Sequence, residues 1–153
     1  MAKLKIITVK DKDDTLRKIC RPVEEITPRI KTLLDDMVET MRASDGVGLA
    51  GPQVGVLRRV VVMECEPDVV YKMINPEIID TDGVQEETEG CLSVPGEFGI
   101  TRRPKKVTVR YQDPTGKVCE LTGEDLLARC ICHELDHLDG RLFTDCVIRM
   151  LDD

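Results

Sequence analysis

Both histidines of the 153-residue chain fall within five residues, His133-Glu134-Leu135-Asp136-His137. No other feature constrains the fold as much. On an α-helix, positions i and i+4 share a face, so two imidazoles there can converge on one cation, with the intervening Glu134 beside the open coordination position. The alternative is a solvated helix whose histidines are incidental. With no histidine elsewhere in the chain, the motif's mechanics favour the metal site.

A catalytic cation of this kind takes three protein ligands and leaves one position for water. No histidine remains to be the third ligand, so a carboxylate or one of the seven cysteines must supply it. Cys130 shares the face of His133 one turn earlier, and Cys132 sits about 100° around the axis. Neither is well placed to complete a tetrahedron with both imidazoles. The better candidate is Cys91, in the separate segment Glu89-Gly90-Cys91-Leu92-Ser93-Val94-Pro95, which reads as a loop with glycine freedom. The remaining cysteines read as buried filler or surface thiols. Seven thiols cannot all pair, and the first ten residues lack a continuous apolar run, so the expected compartment is a reducing cytosol.

Composition narrows the function classes. The chain carries 22 basic against 29 acidic residues and a net charge of −7, with two Phe, two Tyr and no Trp. Nucleic-acid binding wants a basic footprint and stacking platforms, so it is not expected here. No apolar run approaches the roughly 20 residues of a membrane span. The core must be aliphatic, and a single domain over residues 1–153 is expected.

The spacing predicts a helix over 27–43, with Thr27 as N-cap, Pro28 at the first position, and Ile30, Leu33, Leu34, Met37 and Met41 on one stripe. A glycine-rich stretch follows over 46–55. Strands are expected over 59–65, over 69–74 with a stop at Asn75-Pro76, and over 105–111. The last of these turns at 113–116 into a partner over 118–121. A second helix is predicted over 123–139, capped by Thr122 and closed by Gly140, with Leu127, Ile131, Leu135 and Leu138 facing the core. The order lacks βαβ alternation. This favours an α+β fold with mostly antiparallel or mixed sheets, packed around a central metal-binding helix.

Three segments together resemble the peptide deformylase family, in that family's order. They are Gly46-Val47-Gly48-Leu49-Ala50-Gly51-Pro52-Gln53, then Glu89-Gly90-Cys91-Leu92-Ser93, then His133-Glu134-Leu135-Asp136-His137. The resemblance runs from the early residues to about Val147. It implies that Cys91, His133 and His137 bind one divalent metal ion. Ferrous iron is the ion typical of the family, while zinc, nickel or cobalt suits the ligand set about equally. It implies Glu134 as general base, and the Gln53 amide and Leu92 backbone N–H as oxyanion donors. Contacts to substrate are expected from Val47, Gly48 and Gly90, and from Arg129 by its place on the helix. The substrates implied are N-formyl-methionyl peptides and nascent chains in the cytoplasm, and the products are formate and a free amino terminus. The same HExxH apparatus serves zinc peptidases, but Glu134 beside an open position argues against a purely structural site.

Two departures from the family pattern carry expectations. Gly51 stands where the family usually has a second Ala, which should loosen the loop that positions Gln53. The chain ends at Asp153, without the long C-terminal helix that some members use to dock on the ribosome, so docking does not carry over with the chemistry. Two finer expectations concern the metal helix. Arg129, one turn before His133, should border the pocket for the methionine side chain or the residues after it. Asp136 should pair with Arg103 and so orient the helix.

Overall fold

Thr27 and Pro28 start the first helix as their chemistry requires. The Thr27 side chain accepts a hydrogen bond from Ile30 N, and Pro28 fills a position whose missing N–H costs nothing. Helix α1 (Pro28–Ala43) buries Leu34, Met37 and Met41 completely, with Ile30 and Leu33 at the edge of the same stripe. Each fully buried side chain of this size contributes about 1.5–3 kcal/mol. The computed structural model describes residues 3–11 and 14–151. Met1 and Asp153, the limits of the expected domain, lie outside the described residues.

Strands β1 (Gly48–Ala50), β2 (Val60–Glu66), β3 (Val69–Asp82), β6 (Lys106–Gln112) and β7 (Val118–Glu124) form a sheet in the order β1-β2-β3-β6-β7. Strands β4 (Gln85–Cys91), β5 (Val94–Arg103) and β8 (Val147–Met150) form a second sheet in the order β4-β5-β8. Every pairing between these strands is antiparallel. The architecture is therefore α+β with antiparallel sheets, as expected.

Two boundaries differ from expectation for identifiable reasons. Asn75-Pro76 does not stop β3. Asn75 takes φ +52°, the register with β6 shifts across residues 74–77, and the strand continues to Asp82. A bulge is where a strand tolerates proline, and the Asn75 side chain anchors this one by bonding both N and O of Val23. The second helix, α2, spans Leu126–Leu138, so Thr122 is not its cap. Thr122, Gly123 and Glu124 extend β7 opposite Lys106–Thr108, and Asp125, at φ +53°, makes the corner into the helix. Gly140, at φ +75°, closes α2 as expected, its N–H bonding His137 O.

The two helices pack against opposite faces of the larger sheet. Residues alternate faces along β2. Val60 and Val62 pack with α1, while Val61 and Met63 pack with Ala128, Cys130 and Ile131 of α2. Beyond the C-terminal end of α2, Phe143 and Leu142 join Val94 and Leu16 in a smaller core under the second sheet. The α2 helix thus has the larger sheet on one side and reaches β5 of the second sheet on another.

Candidate metal centre

The sulfur of Cys91 comes from the last residue of β4, not from an open loop. The β4–β5 register breaks between Gly90 and Cys91, and the chain turns through Leu92-Ser93 into β5. This turn delivers Cys91 to α2. Its Sγ and one ring nitrogen from each of His133 and His137 lie within 4.8 Å of one another, and Cys91 Sγ is 3.4 Å from His137 Nε2. Cys130 and Cys132, on the helix itself, do not join the cluster found among the described residues.

The donor set fits a cation. His133 Nδ1 lies 2.8 Å from Glu89 Oε1. An ionised carboxylate can only accept, so Nδ1 carries the proton and Nε2 is left to face the sulfur. Burial works against protonating His133, yet Glu134, Cys91 and Glu89 together hold it well above its usual range. Two carboxyl groups and a sulfur around one imidazole make a place that favours positive charge, a proton or a metal ion. Burial drives His137 the other way, well below its usual range, and leaves it neutral as a ligand must be. Its Nδ1 is buried with no hydrogen-bond partner, as is Glu134 Oε1. Unpaired buried polar atoms are rare in folded proteins, and among the described residues two of the three, the third being Glu39 Oε2, lie on neighbouring turns of α2 at this cluster.

Glu89 is the residue that sequence reasoning missed. It sits in the run Glu86-Glu87-Thr88-Glu89, which reads as a solvated acidic strand, yet it is only 8% exposed. Its Oε2 accepts from Arg103 Nε at 2.9 Å and from the Thr101 hydroxyl, and its Oε1 accepts from Arg103 Nη2 at 3.0 Å. Burial alone would raise this carboxyl. The bonds from His133 and Arg103, with the charge of Arg103, outweigh it and hold the group at about 2. Arg103 then reaches Asp136 Oδ2 with Nη1 at 2.6 Å, the pair expected from the sequence. One guanidinium therefore ties β4 to α2 through two carboxylates. The signal for Glu89 in the sequence was its place at the head of the Glu89-Gly90-Cys91-Leu92-Ser93 segment.

Gln53 is buried in the short 3-10 turn Gly51–Val54 that follows β1, at the end of the first motif segment. Its Oε1 accepts from Ala50 N at 3.0 Å, and its Nε2 donates to Ser93 Oγ at 3.1 Å and approaches Cys91 Sγ at 3.6 Å. The amide is thus fixed beside the sulfur. Gly51 does not loosen this loop. A Cβ there would meet the carbonyl oxygens of Val56 at 2.7 Å and Arg58 at 2.8 Å, so the backbone is packed tight at that glycine.

A cavity of about 480 Å³ opens over the cluster, a volume within the usual range for small-ligand sites. Its wall includes Gln53, Cys91, Leu92, His133 and Glu134, and also all four residues expected to touch substrate, Val47, Gly48, Gly90 and Arg129. His137 lies behind the wall, fully buried. Gly48 has no room for a side chain, since a Cβ would stand 2.5 Å from Glu134 Oε2. Arg129 borders the cavity, with its guanidinium held by Gln85 Oε1 at 2.8 Å. Glu134 is 4% exposed, and burial pushes its carboxyl up to about 7. The arrangement can hold a cation and take up a proton next to it, with the Gln53 amide fixed beside the sulfur.

Comparison with known proteins agrees with this chemistry. The family model described as polypeptide deformylase matches residues 3–152. A peptide deformylase from Caldanaerobacter subterraneus subsp. tengcongensis is 56% identical over 140 residues, covering 92% of this chain and 87% of that protein. One from Agathobacter rectalis is 54% identical, covering 92% of this chain and 89% of its own length. Among solved structures, a peptide deformylase from Legionella pneumophila superposes with a TM-score of 0.91 at 44% identity, covering 95% of this chain and 86% of its own. The Synechococcus elongatus peptide deformylase in complex with actinonin gives a TM-score of 0.90 at 38% identity, covering 96% of this chain and 80% of its own.

Proposed function

The chain belongs to the polypeptide deformylase family, and from that premise we propose which of its residues carry the reaction. The protein is a peptide deformylase, a hydrolase that removes the N-formyl group from newly made polypeptides. The observation that carries the residue assignment is the meeting of Cys91, His133 and His137 at a cavity whose wall contains the buried Glu134 carboxylate.

Cys91, His133 and His137 hold one divalent metal ion, ferrous iron first among zinc, nickel and cobalt, and α2 is the central metal-binding helix of a single catalytic domain. Such an ion supplies Lewis acidity, which acidifies water at neutral pH and polarises a carbonyl. Glu134 is the base. A carboxyl poised at about 7 can take a proton from the attacking water and return it to the departing amine. The Gln53 amide and the Leu92 backbone N–H stabilise the oxyanion that develops at the formyl carbon, each donor contributing about 2.7–4 kcal/mol in the transition state. Glu89, with Arg103 and Asp136 behind it, holds the His133 ring in orientation.

The peptide lies between two sheet edges. β1 ends one sheet and β4 ends the other, and Gly48 and Gly90 on these strands face the same cavity. An extended chain added there bonds through its backbone, so many sequences after the formyl-methionine are accepted. Arg129 flanks the methionine pocket or the residues that follow. Among the described residues, no helix is long and apolar enough to cross a membrane, and we place the reaction in the cytoplasm, on nascent chains.

The test is formate release from a formyl-Met tripeptide by protein loaded anaerobically with ferrous iron. Glu134→Gln should retain metal and lose about 10²–10⁴ in turnover. Unchanged turnover in that variant overturns the assignment of the base.

A further inference from the structure

Residues 4–9 belong to no helix or strand, yet hydrogen bonds fasten them across the site. Leu4 N donates to Thr40 Oγ1 of α1 at 2.8 Å. Ile7 N donates to Gln53 O at 2.7 Å, and Ile7 O accepts from Ser93 Oγ at 2.7 Å. Val9 N donates to Ser93 O at 2.8 Å. The side chains divide in the same way. Leu4 and Ile6 pack against the α1 core, as Leu92 does, and Ile7 packs against the smaller core, as Cys91 does. One irregular segment thus ties the turn that holds Gln53 to the turn that holds Leu92 and Ser93.

Donor and acceptor chemistry orders this network from both ends. The Ala50 N–H can only donate, so the Gln53 atom 3.0 Å away is the amide oxygen, and the amide nitrogen faces Ser93 Oγ at 3.1 Å. At the other end a carbonyl oxygen can only accept, so Ser93 gives its single hydroxyl proton to the bond with Ile7 O. The Ser93 oxygen is then left to accept from Gln53, and the two ends agree. Gln53 Nε2 carries two hydrogens. Ser93 takes one, and the other is on the side of Cys91 Sγ, 3.6 Å away, where the amide meets the cavity. Gln53 is 1% exposed and Ser93 is 0% exposed, so bulk water does not compete for their bond.

We propose that the segment over 4–9 is a clamp on the oxyanion donors, and that Ser93 is the positioning residue whose hydroxyl orients the Gln53 amide. The proposal deepens the reading of Gln53 as an oxyanion donor and rests on it. The last side-chain torsion of glutamine is broad. An amide held at Ala50 N alone turns about that torsion and carries its free N–H away from the developing charge. The Ser93 bond stops the rotation before substrate arrives, so the donor needs no reorganisation in the transition state. Ile7 holds Ser93 by its hydroxyl and Val9 holds it by its carbonyl, so the same segment fixes the turn that carries the Leu92 N–H.

The experiment uses protein loaded with zinc, whose filled d shell suits NMR. In Ser93→Ala, kcat for formate release from a formyl-Met tripeptide should fall about 10–100-fold with KM unchanged, the mark of an interaction made in the transition state. Gln53→Ala should lose about 10²–10³ in kcat. Adding Ser93→Ala to it should cost nothing further, because the hydroxyl acts through that amide. By NMR, the Gln53 side-chain amide hydrogens should exchange slowly with solvent in the wild type and at least about tenfold faster in Ser93→Ala. Val9→Pro reaches the network from a half-exposed position by removing the N–H that Ser93 O accepts. Its kcat and Gln53 exchange should move in the same directions, and it carries the test should Ser93→Ala not fold. With Gln53→Ala impaired, the proposal is overturned if the folded variant keeps wild-type turnover, if the losses of Ser93→Ala and Gln53→Ala add in full, or if Gln53 exchange is unchanged. Full turnover in Gln53→Ala removes the oxyanion reading instead, and the exchange rate alone then upholds or overturns the positioning.

Discussion

The two helices flank the same sheet and bury their inner faces in opposite ways. α1 presents Leu34, Met37, Val38 and Met41, with Thr40 as its one fully buried polar side chain. The Thr40 hydroxyl is satisfied by donating to Asp36 O and accepting from Leu4 N. α2 buries Ala128, Ile131, Leu135 and Leu138, but also Glu134 and His137, each with an unpartnered atom. Around it stand Glu89 and Arg103, both under a tenth exposed. Removing ionisable groups from water costs several kcal/mol per ion unless good partners recover it. α1 has one buried oxygen without a partner, Glu39 Oε2, beneath an otherwise apolar inner face, whereas α2 gathers several buried ionisable groups around one cluster. The comparison can be tested by disturbing each side in turn.

The largest effect is expected at Arg103→Gln. It leaves Glu89 buried without its guanidinium and Asp136 without its partner, and breaking a buried pair in this way costs about 3–5 kcal/mol. Because Glu89 also orients His133, metal affinity should fall about 10–100-fold. Denaturant melts of the metal-free protein and metal titration measure the two separately. A loss below about 1 kcal/mol would mean that the network does not hold α2. The acid limb offers a further check. The folded Glu89 carboxyl is held at about 2, below its ordinary 4.5, so its contribution is present in full above pH 4.5 and is lost as the pH falls from there toward 2. Arg103→Gln should lose less stability than the wild type across that window, since its Glu89 is held less low.

Met37→Ala makes the matching cut on the other side. Met37 is completely buried among Leu34, Met41, Val60 and Val62, and truncation there should cost about 2–5 kcal/mol through lost burial and a cavity. Metal affinity should not change, because none of these residues meets the metal cluster. A coupled loss of metal would show that the two sides of the sheet are not independent, and would break the comparison.

How legible each side was follows from the same physics. α1 was readable to within a residue because its cap, its proline and its apolar stripe are all local signals. The Cys91–His133–His137 cluster was readable from its motifs, but the first turn of α2 was not. Thr122-Gly123-Glu124 offers good cap chemistry, and pairing with β6 claims those residues for the sheet instead. The β4–β5 hairpin was invisible for a related reason. Gln85-Glu86-Glu87-Thr88-Glu89 has no apolar alternation, because what it buries inward is a carboxylate rather than a hydrocarbon. Cys91 was expected in a loop on the strength of its glycine, whereas Gly90 sits at a break in register that turns the cysteine toward α2. The Arg103–Asp136 pair was anticipated, but not the Glu89 that gives it a purpose. Local periodicity reports apolar burial, and the polar part of this interior left only its motifs to be read.

The smallest effect is expected where the same residue types meet in water. Arg110 and Glu120 face each other directly across β6 and β7, with Arg110 Nη2 3.3 Å from Glu120 Oε2. Both side chains are about half exposed, so the Coulomb gain is screened and the side-chain entropy of holding the pair offsets much of it. Arg110→Gln should cost about 0.2–1 kcal/mol, and that loss should shrink as salt is raised. Arg103→Gln removes the same guanidinium from a site 7% exposed, where salt has little access, so its larger cost should persist. Melting both variants at low and high ionic strength separates the two cases. If Arg110→Gln cost as much as Arg103→Gln, burial would not be what distinguishes the α2 side, and the contrast between the helices would lose its physical basis.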